Sequence, residues 1–380
     1  MTAIAIYRHQ LFKLSETFIT NQAERLPSCD VIYLGRERLA AGPAGADSRV
    51  LRDLPGQTSR AALIRQVISR DPTHYLRLLA DRRIALIHAH FGVEGVYALP
   101  IARRLKIPLV TTFHGFDATT TRLALLTAGH PSWWNYLLHR RTLAADGQHF
   151  ICVSEFIRRQ VVTLGFPESR TEVHYIGVDT DAIQPTSSRL PEPMVLHVAR
   201  LVEKKGTRDL IAAFALVRQR VPEAKLVIIG DGPLRASLRR QVQELSLTDH
   251  VSFRGAQPYA EVLQFMAQAW LIALPSVQAK TGDAEGFGLV LAEAAASGVP
   301  SVATRHGGIP EAVKDGETGV LCAEHDSTTL ATAIIDLLRD DALRNRMGRA
   351  ARRHAETHFN LTRQSARLQR IYADVLRAAP

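Results

Sequence analysis

Two glutamates bracket a glycine-containing segment in the second half of this chain. Residues 285–293 read Glu-Gly-Phe-Gly-Leu-Val-Leu-Ala-Glu and lead into a pattern that predicts a helix over 289–296. Free amides at a helix start bind anions such as phosphate, and glycine lets a ligand approach the backbone. Glu285 can accept hydrogen bonds from sugar hydroxyls, and Glu293, eight positions later, is expected two turns away on about the same face, within reach of a ribose. The pattern favours a nucleotide-sugar ligand; the alternative is a solvated helix with ordinary acidic residues.

Two cations follow the first predicted strand of the second half. Residues 198–206 read Val-Ala-Arg-Leu-Val-Glu-Lys-Lys-Gly, which sets Arg200 and Lys205 five residues apart. Open parallel sheets bind ligands at the carboxyl ends of their strands. Arginine offers a planar fork and lysine a point charge, so the pair can clamp a diphosphate from two directions. A surface charge run is the alternative interpretation.

Two patterns resemble metal ligands. Asp179 and Asp181 form an Asp-x-Asp pair just before a proline-rich stretch. His88 and His90 stand two apart at a predicted strand end and can share one face. Two imidazoles without a third ligand are more often structural or substrate-facing than zinc ligands. We therefore expect no metal site and no cofactor.

Buried strands must position these residues, and the chain supplies two sets of them. Short β-branched apolar runs alternate with amphipathic stretches, which indicates βαβ units and parallel sheets covered on both faces. The predicted strands are 4–7, 31–34, 85–88, 109–113, 149–153 and 172–176, then 194–199, 225–229, 251–254, 270–274, 301–304 and 320–322. The predicted helices include 15–26, 61–79, 93–105 and 155–164, then 207–218, 234–245, 259–266 and 289–296. Two successive sets predict two doubly wound α/β domains.

A stretch with three prolines separates the two sets. Residues 183–193 read Ile-Gln-Pro-Thr-Ser-Ser-Arg-Leu-Pro-Glu-Pro, and proline disfavours both helix continuation and strand pairing. We expect a first domain over 1–183, a linker over 184–193 and a second domain over 194–358. The last segment, 359–380, contains a basic amphipathic helix over 361–375 whose apolar stripe needs another surface to cover it.

The composition is that of a globular chain with a basic surplus. The 380 residues are 46% hydrophobic and 22% charged, with a formal net charge of +10. No run approaches the ~18 apolar residues of a membrane-spanning helix, and no signal peptide is visible, so we expect a cytoplasmic protein. Because no RNA-reading motif or zinc finger accompanies the surplus, a nucleotide ligand or an anionic membrane surface is favoured over nucleic acid.

The second half resembles the retaining nucleotide-sugar glycosyltransferases of family 4 through five motifs in family order. They are Arg-Leu-Val-Glu-Lys-Lys-Gly at 200–206, Ile-Gly-Asp-Gly-Pro-Leu at 229–234, Glu-x7-Glu at 285–293, His-Gly-Gly-Ile-Pro-Glu at 306–311 and Asp-Gly-Glu-Thr-Gly at 315–319. The first half is similar to a narrower branch, the colanic-acid and amylovoran type of bacterial exopolysaccharide glycosyltransferase. Its motifs are Leu-Ser-Glu-Thr-Phe-Ile at 14–19, Ile-His-Ala-His-Phe at 87–91 and His-Gly-Phe-Asp at 114–117, together with Asp-Ala-Glu-Gly at 283–286.

The resemblance implies the GT-B fold, in which two Rossmann-like domains face a cleft and a C-terminal helix crosses back to the first domain. It implies a retaining, metal-independent transfer of a hexose from a nucleoside-diphosphate sugar to a saccharide acceptor, which we expect to be linked to polyprenyl diphosphate. A UDP-sugar is the favoured donor and GDP-mannose the other candidate.

The resemblance also implies a set of site residues. The catalytic residues would be Arg200, Lys205, Glu285 and His114. The donor-binding residues would be Gly230, Gly286, Phe287, Gly288, Leu289 and Glu293, and the acceptor-side residues Ser15, Glu16, Thr17 and Asp117. The chain departs from the family where it carries residues 9–17 in place of the Gly-Gly loop of many relatives.

Two other functions stay open at this point. A nucleotide-dependent oxidoreductase or epimerase also uses Rossmann domains, although the Gly-x-Gly-x-x-Gly fingerprint is missing after 4–7 and after 194–199. A non-catalytic nucleotide-sugar-binding module is the other, and the intact cations and glutamates of the second half disfavour it.

We also expect peripheral attachment of the first domain to the inner face of the cytoplasmic membrane. Basic groups near an anionic surface attract it, and salt screens the attraction. The candidate contacts are Arg82, Arg83, Arg103, Arg104, Lys106, Arg140 and Arg141, with Trp133 and Trp134 nearby in sequence.

Overall fold

A computed structural model describes residues 2–56, 59–185 and 191–378. Its contacts divide the chain into two compact units, the first made of Met1–Gly177 and Leu361–Pro380, the second of Val178–Asn360. The centre of the expected linker, 186–190, lies outside the described residues.

The boundary between the units differs from the expected one by a few residues. Residues 178–183, expected in the first domain, belong to the second unit, where the guanidinium of Arg352 donates to the carbonyls of Thr180 (2.8 Å) and Ile183 (2.6 Å). These hydrogen bonds hold a segment that has no regular structure of its own, and so no sequence pattern marks it.

The first unit is built on a parallel sheet. Its strands are β1 (Thr2–Tyr7), β2 (Gln10–Leu11), β3 (Cys29–Gly35), β4 (Glu37–Arg38), β5 (Asp47–Val50), β6 (Leu86–His90), β7 (Leu109–Phe113), β8 (His149–Cys152) and β9 (Thr171–Val173). Seven of them form one sheet in the order β5-β3-β1-β6-β7-β8-β9, and β2 pairs separately with β4. Every residue of β6 and β7 is buried, as expected for central strands covered by helices on both faces.

The helices of the first unit follow most of the predicted amphipathic stretches. They are α1 (Thr17–Glu24), α2 (Arg60–Ser69), α3 (Thr73–Leu78), α4 (Gly92–Leu105), α5 (Phe116–Thr119), α6 (Arg122–Thr127), α7 (Pro131–Asp146) and α8 (Glu155–Thr163). The single helix expected over 61–79 is wrong, because the chain breaks after α2. Arg70 takes a left-handed conformation (φ 53°) and Pro72 starts α3, since proline cannot continue a preceding helix.

The second unit repeats the same plan. Its strands are β10 (Met194–Val198), β11 (Lys225–Ile229), β12 (Val251–Gly255), β13 (Leu271–Leu274), β14 (Ser301–Thr304) and β15 (Gly319–Cys322), in the order β12-β11-β10-β13-β14-β15. Its helices are α9 (Thr207–Arg220), α10 (Arg235–Glu244), α11 (Tyr259–Gln268), α12 (Leu289–Ala296), α13 (Ile309–Ala312), α14 (Ser327–Arg339) and α15 (Asp341–His358).

The last helix, α16 (Leu361–Ala378), belongs to the first unit. Its buried residues Leu368, Ile371 and Val375 join the core formed by β1 and its neighbours, and the Ser365 hydroxyl donates to the carbonyl of Gln22 (3.2 Å). The predicted fold class, two doubly wound parallel-sheet units with a C-terminal helix on the first, is confirmed.

In each sheet the order in which successive strands are added reverses at a central strand. In the first unit β1 lies between β3 and β6, and in the second β10 lies between β11 and β13, so successive crossovers run to opposite sides. The carboxyl ends of strands flanking such a switch point form the crevice where open α/β sheets bind ligands. In this chain the two crevices lie at the ends of β1 and β6 and of β10 and β13.

Candidate functional site

The turn after β10 and the loop after β13 are joined by two neighbouring lysines. Nζ of Lys204 donates to Oδ1 of Asp283 (2.9 Å) and to the carbonyl of Ala284 (3.2 Å), while Nζ of Lys205 donates to Oε2 of Glu285. The turn ends at Gly206 (φ 62°), where a Cβ would lie 1.7 Å from the carbonyl oxygen of Pro275, so only glycine fits. The predicted cation Lys205 and the predicted carboxylate of Glu285 thus meet at the switch point.

Glu285 is fixed through both its side chain and its backbone. Oε2 also accepts from the Ser276 hydroxyl (3.3 Å). Its backbone N–H donates to Nε2 of His306 (3.3 Å), and its carbonyl accepts from the N–H of Gly308 (3.0 Å). Burial alone would raise the pKa of Glu285, but the charges of Lys205 and Lys204 outweigh it and lower that pKa to about 2. A permanently charged carboxylate therefore stands in this crevice.

His306 is a positioning residue to which the sequence motifs give no role. Nδ1 of this buried ring pairs with Oε1 of Glu324 (2.7 Å), and because Nε2 accepts from Glu285, the network places the proton on Nδ1. The signals available in the sequence are its place at the start of the 306–311 motif and two residues after β14, the neighbour of β13.

Glu285 and Glu293 do not share a helical face, so that expectation is wrong. Helix α12 begins at Leu289 after an N-cap at Gly288 (φ 82°), and Glu285 lies in the non-helical segment before it. Glu293 is half-buried within the helix and accepts a hydrogen bond from Tyr259. Burial raises the pKa of Glu293 to about 7, although the hydrogen bond from Tyr259 lowers it. The two carboxylates therefore differ in partner and in charge.

The remaining residues expected to bind the donor fall into two groups. The segment Gly286 to Leu289 leads into α12, whose first-turn amides receive no capping side chain from Gly288. Phe287 is buried with its ring 5.1 Å from that of Phe359, so it anchors this segment. Gly230 (φ 128°) has a packing reason, because a Cβ there would lie 1.9 Å from the carbonyl oxygen of Ala199.

Arg200 differs from Lys205 in its surroundings. Its side chain is exposed and forms no ion pair with any residue in the part of the chain that the structure describes. Lys205 is 15% exposed and engaged with Glu285. The expected clamp therefore consists of one fixed cation and one exposed cation at the end of the same strand.

In the first unit, His114 directly follows β7 and is enclosed by other rings. Nε2 lies 3.1 Å from Nδ1 of His90, and the ring centroid lies 4.5 Å from that of Phe91 and 5.1 Å from that of Phe18. Nδ1 is buried and finds no hydrogen-bond partner among the described residues. Burial, then the charge of Arg8, lowers the pKa of His114 well below its usual value, so the ring is neutral at pH 7.

Asp117, expected on the acceptor side, organises the backbone instead. Oδ1 accepts from the N–H groups of His114 (3.2 Å) and Gly115 (2.9 Å), and Oδ2 accepts from that of Gly92 (2.8 Å). Both oxygens of this buried carboxyl are thus occupied by the strand ends that carry His114 and the start of α4. Asp117 therefore positions the backbone that carries His114, and its expected acceptor-side role stays a prediction.

Arg8 belongs to none of the sequence motifs and directly follows β1. It donates to both oxygens of Glu16 (2.8 and 2.9 Å), pairs with Glu94 and stacks 4.3 Å above the ring of Phe91. Both carboxylate oxygens of Glu16 therefore accept hydrogen bonds from Arg8. Ser15 is exposed, and Thr17 begins α1.

The side chains of the two sequence patterns that resemble metal ligands make hydrogen bonds within the chain. Nδ1 of His88 lies 2.6 Å from the Tyr372 hydroxyl and Nε2 lies 2.6 Å from Oγ1 of Thr112, so both ring nitrogens are occupied. Oδ1 of Asp179 accepts from the N–H of Ala182 (3.0 Å). Within residues 2–56, 59–185 and 191–378, no group of three histidine, cysteine or acidic side chains is arranged to hold a metal ion.

Comparison with known proteins adds independent findings. Residues 15–182 match the sequence family described as Glycosyltransferase Family 4, and residues 179–354 match Glycosyl transferases group 1. The chain is 33% identical over 312 residues to the GDP-mannose-dependent alpha-(1-6)-phosphatidylinositol monomannoside mannosyltransferase of Mycolicibacterium smegmatis, covering 78% of each chain. It is 31% identical over 276 residues to the amylovoran biosynthesis glycosyltransferase AmsK of Erwinia amylovora, covering 71% of this chain and 65% of the relative.

Among solved structures, the chain resembles HepE of Anabaena in complex with UDP and glucose. The TM-score is 0.79 at 22% identity, covering 98% of this chain and all of the other. This likeness shows the shared GT-B fold.

Proposed function

Because the chain belongs to the family 4 glycosyltransferases, a nucleotide-sugar-dependent family, we propose that it transfers a hexose to a lipid-linked saccharide with retention of the anomeric configuration. The oxidoreductase alternative has no support from this family. The observation that carries the proposal is the meeting of Lys205 and Glu285 at the β10/β13 switch point, directly before the uncapped start of α12. A cation, a carboxylate and a helix start without a capping side chain together match a sugar diphosphate.

The proposed chemistry centres on the departing diphosphate. Breaking the anomeric carbon–oxygen bond develops negative charge on the diphosphate and positive charge on the sugar. Lys205, Arg200 and the first-turn amides of α12 stabilise the leaving group most where that charge grows. The acceptor hydroxyl attacks the same face of the sugar, and the leaving phosphate oxygen takes up its proton, so no metal ion is required.

The carboxylates and His114 orient the substrates in this proposal. Glu285 accepts hydrogen bonds from sugar hydroxyls, and Glu293 accepts from the ribose. The unpartnered Nδ1 of His114 binds a substrate hydroxyl, while Asp117 holds the backbone that carries the ring. Arg8 keeps Glu16 in a fixed orientation, which leaves the exposed Ser15 and the half-buried Thr17 for the acceptor side.

Relatives suggest the donor and the acceptor. HepE is described in complex with UDP and glucose, whereas the mycobacterial relative is named a GDP-mannose-dependent enzyme acting on a phosphatidylinositol mannoside. A UDP-sugar and GDP-mannose are therefore the two donors to test. The relative named for amylovoran biosynthesis supports a role in surface-glycan synthesis. For that role we propose a polyprenyl-diphosphate-linked acceptor at the inner face of the cytoplasmic membrane.

Thermal shift with UDP and GDP, followed by turnover with the matching sugar donors, tests the proposal. A ligand that binds only the folded state raises the apparent melting temperature with concentration. We expect a clear preference for one nucleoside diphosphate, its release during turnover, and an NMR spectrum of the product with the donor's anomeric configuration. Nucleotide binding without release from any donor would leave a binding module, and an inverted product would overturn retention.

A further inference from the structure

Three helices of the first unit expose large apolar side chains to solvent. Leu138 on α7 is 73% exposed, Leu123 on α6 is 71% exposed and Ile68 on α2 is 61% exposed. The same helices also expose Ile64, Leu126 and Trp134. Isolated exposed leucines are ordinary, but a concentration on adjacent helices marks an interaction surface. We name these six residues the α2/α6/α7 face.

Hydrogen bonds hold the three helices side by side. The Trp134 indole N–H on α7 donates to the carbonyl of Leu126 at the end of α6 (2.9 Å). The neighbouring Asn135 donates through its amide to the carbonyls of Val67 (2.7 Å) and Ile68 (3.3 Å) on α2. The exposed side chains of α2 and α6 therefore border the turn of α7 that carries Trp134.

The charge around this face has a single sign. Residues 59–70 and 121–145 contain no aspartate or glutamate. Exposed cations stand beside the apolar residues at Arg65, Arg122 and Arg141. The acidic residue that closes α7, Asp146, pairs with Arg103. Arg82, an exposed arginine elsewhere in this unit, is by contrast paired with Asp30 (3.3 Å) and Asp47 (2.9 Å).

We propose that the α2/α6/α7 face docks on an anionic phospholipid bilayer, with its apolar side chains at the headgroup boundary and its arginines against the lipid charge. Apolar residues including a tryptophan, with cations and no unpaired acid beside them, match the chemistry of helices that lie in a membrane interface. The proposal keeps Trp134 and Arg141 from the contacts expected from sequence, and it leaves out Arg82 and Arg103, which are engaged with acidic partners, and the half-buried Trp133. Among the residues that the structure describes, none of the helices has the length and apolar character of a membrane span.

This inference deepens the proposed function, since a lipid-linked acceptor lies in a bilayer, but it rests on separate residues. Its test is co-sedimentation of the full chain with vesicles of phosphatidylglycerol and phosphatidylcholine, compared with phosphatidylcholine alone. We expect binding to the anionic vesicles, weak binding to the neutral ones, and release at high salt as charge is screened. The double variant Leu123→Glu/Leu138→Glu should lower the partition coefficient by at least about tenfold, because it places two charges against the lipid.

A matched control and a second variant keep the test specific. Leu216→Glu/Leu245→Glu makes the same change at exposed leucines of the second unit (37% and 39% exposed) and should bind as the wild type does. Arg122→Gln/Arg141→Gln should weaken binding to anionic vesicles and leave weak binding to neutral ones unchanged. Melting temperatures of all variants establish that they are folded.

Three outcomes overturn the docking proposal. The first is failure of the wild type to bind anionic vesicles, and the second is equal binding by the Leu123→Glu/Leu138→Glu variant. The third is a concentration-dependent dimer that this variant disrupts, which would assign the face to a second copy of the chain. Nucleoside diphosphate release in the absence of vesicles separates the two proposals: the double variant should keep it, and its absence in the wild type would overturn the proposed function alone.

Discussion

Lys205 and Glu285 follow different strands, β10 and β13, yet their side chains share a hydrogen bond. Their side chains are 15% and 10% exposed. A mostly buried ion pair needs further partners to offset its desolvation, and here Ser276 supplies one to Glu285. The charge of Lys205 is thus tied to the carboxylate of Glu285, and the backbone N–H of Glu285 donates in turn to His306, which lies beyond the end of a third strand, β14.

Replacing either member of this pair should slow the reaction. We expect Glu285→Gln and Lys205→Ala each to lower kcat by at least about tenfold to a hundredfold, the range for loss of one preorganised charged contact. Steady-state release of nucleoside diphosphate measures the effect, and the melting temperature shows whether the fold survives. The exposed Lys314→Ala is the control and should behave as the wild type does. Near-normal turnover in either site variant would remove the role assigned to that residue.

Nucleotide affinity should depend on pH through Glu293. Its pKa of about 7 means that the carboxyl is largely protonated at pH 6 and charged at pH 8. Because a ribose hydroxyl donates best to a carboxylate, binding at pH 6 must release a proton, and affinity should rise towards pH 8 by at most about tenfold per pH unit. Calorimetric titration from pH 5.5 to 8.5 measures this rise.

The matched variant for that titration is Glu293→Gln. In this variant the nucleotide's own phosphate still titrates, so that part of the pH dependence of affinity should remain. The part that comes from residue 293 should disappear. Equal pH dependence in the variant and the wild type would show that Glu293 does not bind the nucleotide. In the absence of nucleotide, the raised pKa makes the folded chain less stable as pH rises from about 4.5 through 7, because the folded state holds a proton that the unfolded chain releases.

Chelation should leave activity largely intact. The proposed stabilisation of the leaving group uses cations and amides of the chain itself, and the Asp-x-Asp pair includes Asp179, whose carboxylate caps a local turn. We expect turnover in excess EDTA within about twofold of the untreated rate, as befits a reaction without Lewis-acid help. Complete loss of activity in EDTA, restored by manganese or magnesium, would contradict the metal-independent mechanism.

Asp117→Ala should destabilise the first unit. The substitution leaves three backbone N–H groups, those of Gly92, His114 and Gly115, without their acceptor. Orphaned buried donors cost about 1–3 kcal/mol each, so we expect the free energy of unfolding to fall by at least about 2 kcal/mol in urea titration. Asp30→Ala, which removes a half-exposed partner of Arg82, is the control and should change stability by less than about 1 kcal/mol. Equal stability of the two variants would show that Asp117 does not organise these strand ends.

Most strands could be predicted because a strand that is buried on both faces appears in the sequence as a short run of apolar residues. β7 and β11 have the predicted bounds, since each is a run of residues that the fold buries on both faces. The edge strand β5, Asp47–Val50, was not predicted because three of its four residues are only partly buried and its sequence carries charge. The break between α2 and α3 depends on the left-handed Arg70, a conformation that residue type alone does not favour.

The sequence predicted the candidate site residues whose side-chain type and motif indicate a ligand contact. It did not predict the residues that only position another residue. Lys205 and Glu285 stand in recognisable motifs and meet as neighbours of adjacent strands. His306 and Lys204 fix the same loop through contacts 21 and 80 positions apart in the chain, which spacing within one motif cannot reveal. Asp117 is the opposite case. It stands in a recognisable motif, but the motif does not distinguish a side chain that contacts a ligand from one that binds the backbone.

The placement of α16 has a consequence for the order of folding during synthesis. The core of the first unit includes Leu368, Ile371 and Tyr372, so it is assembled from both ends of the chain. A ribosome releases residues in order, and domains made of one continuous segment fold as they emerge. Here the unit that is translated first can complete its core only after the whole second unit has left the ribosome. The second unit, continuous from 178 to 360, has all its residues available earlier.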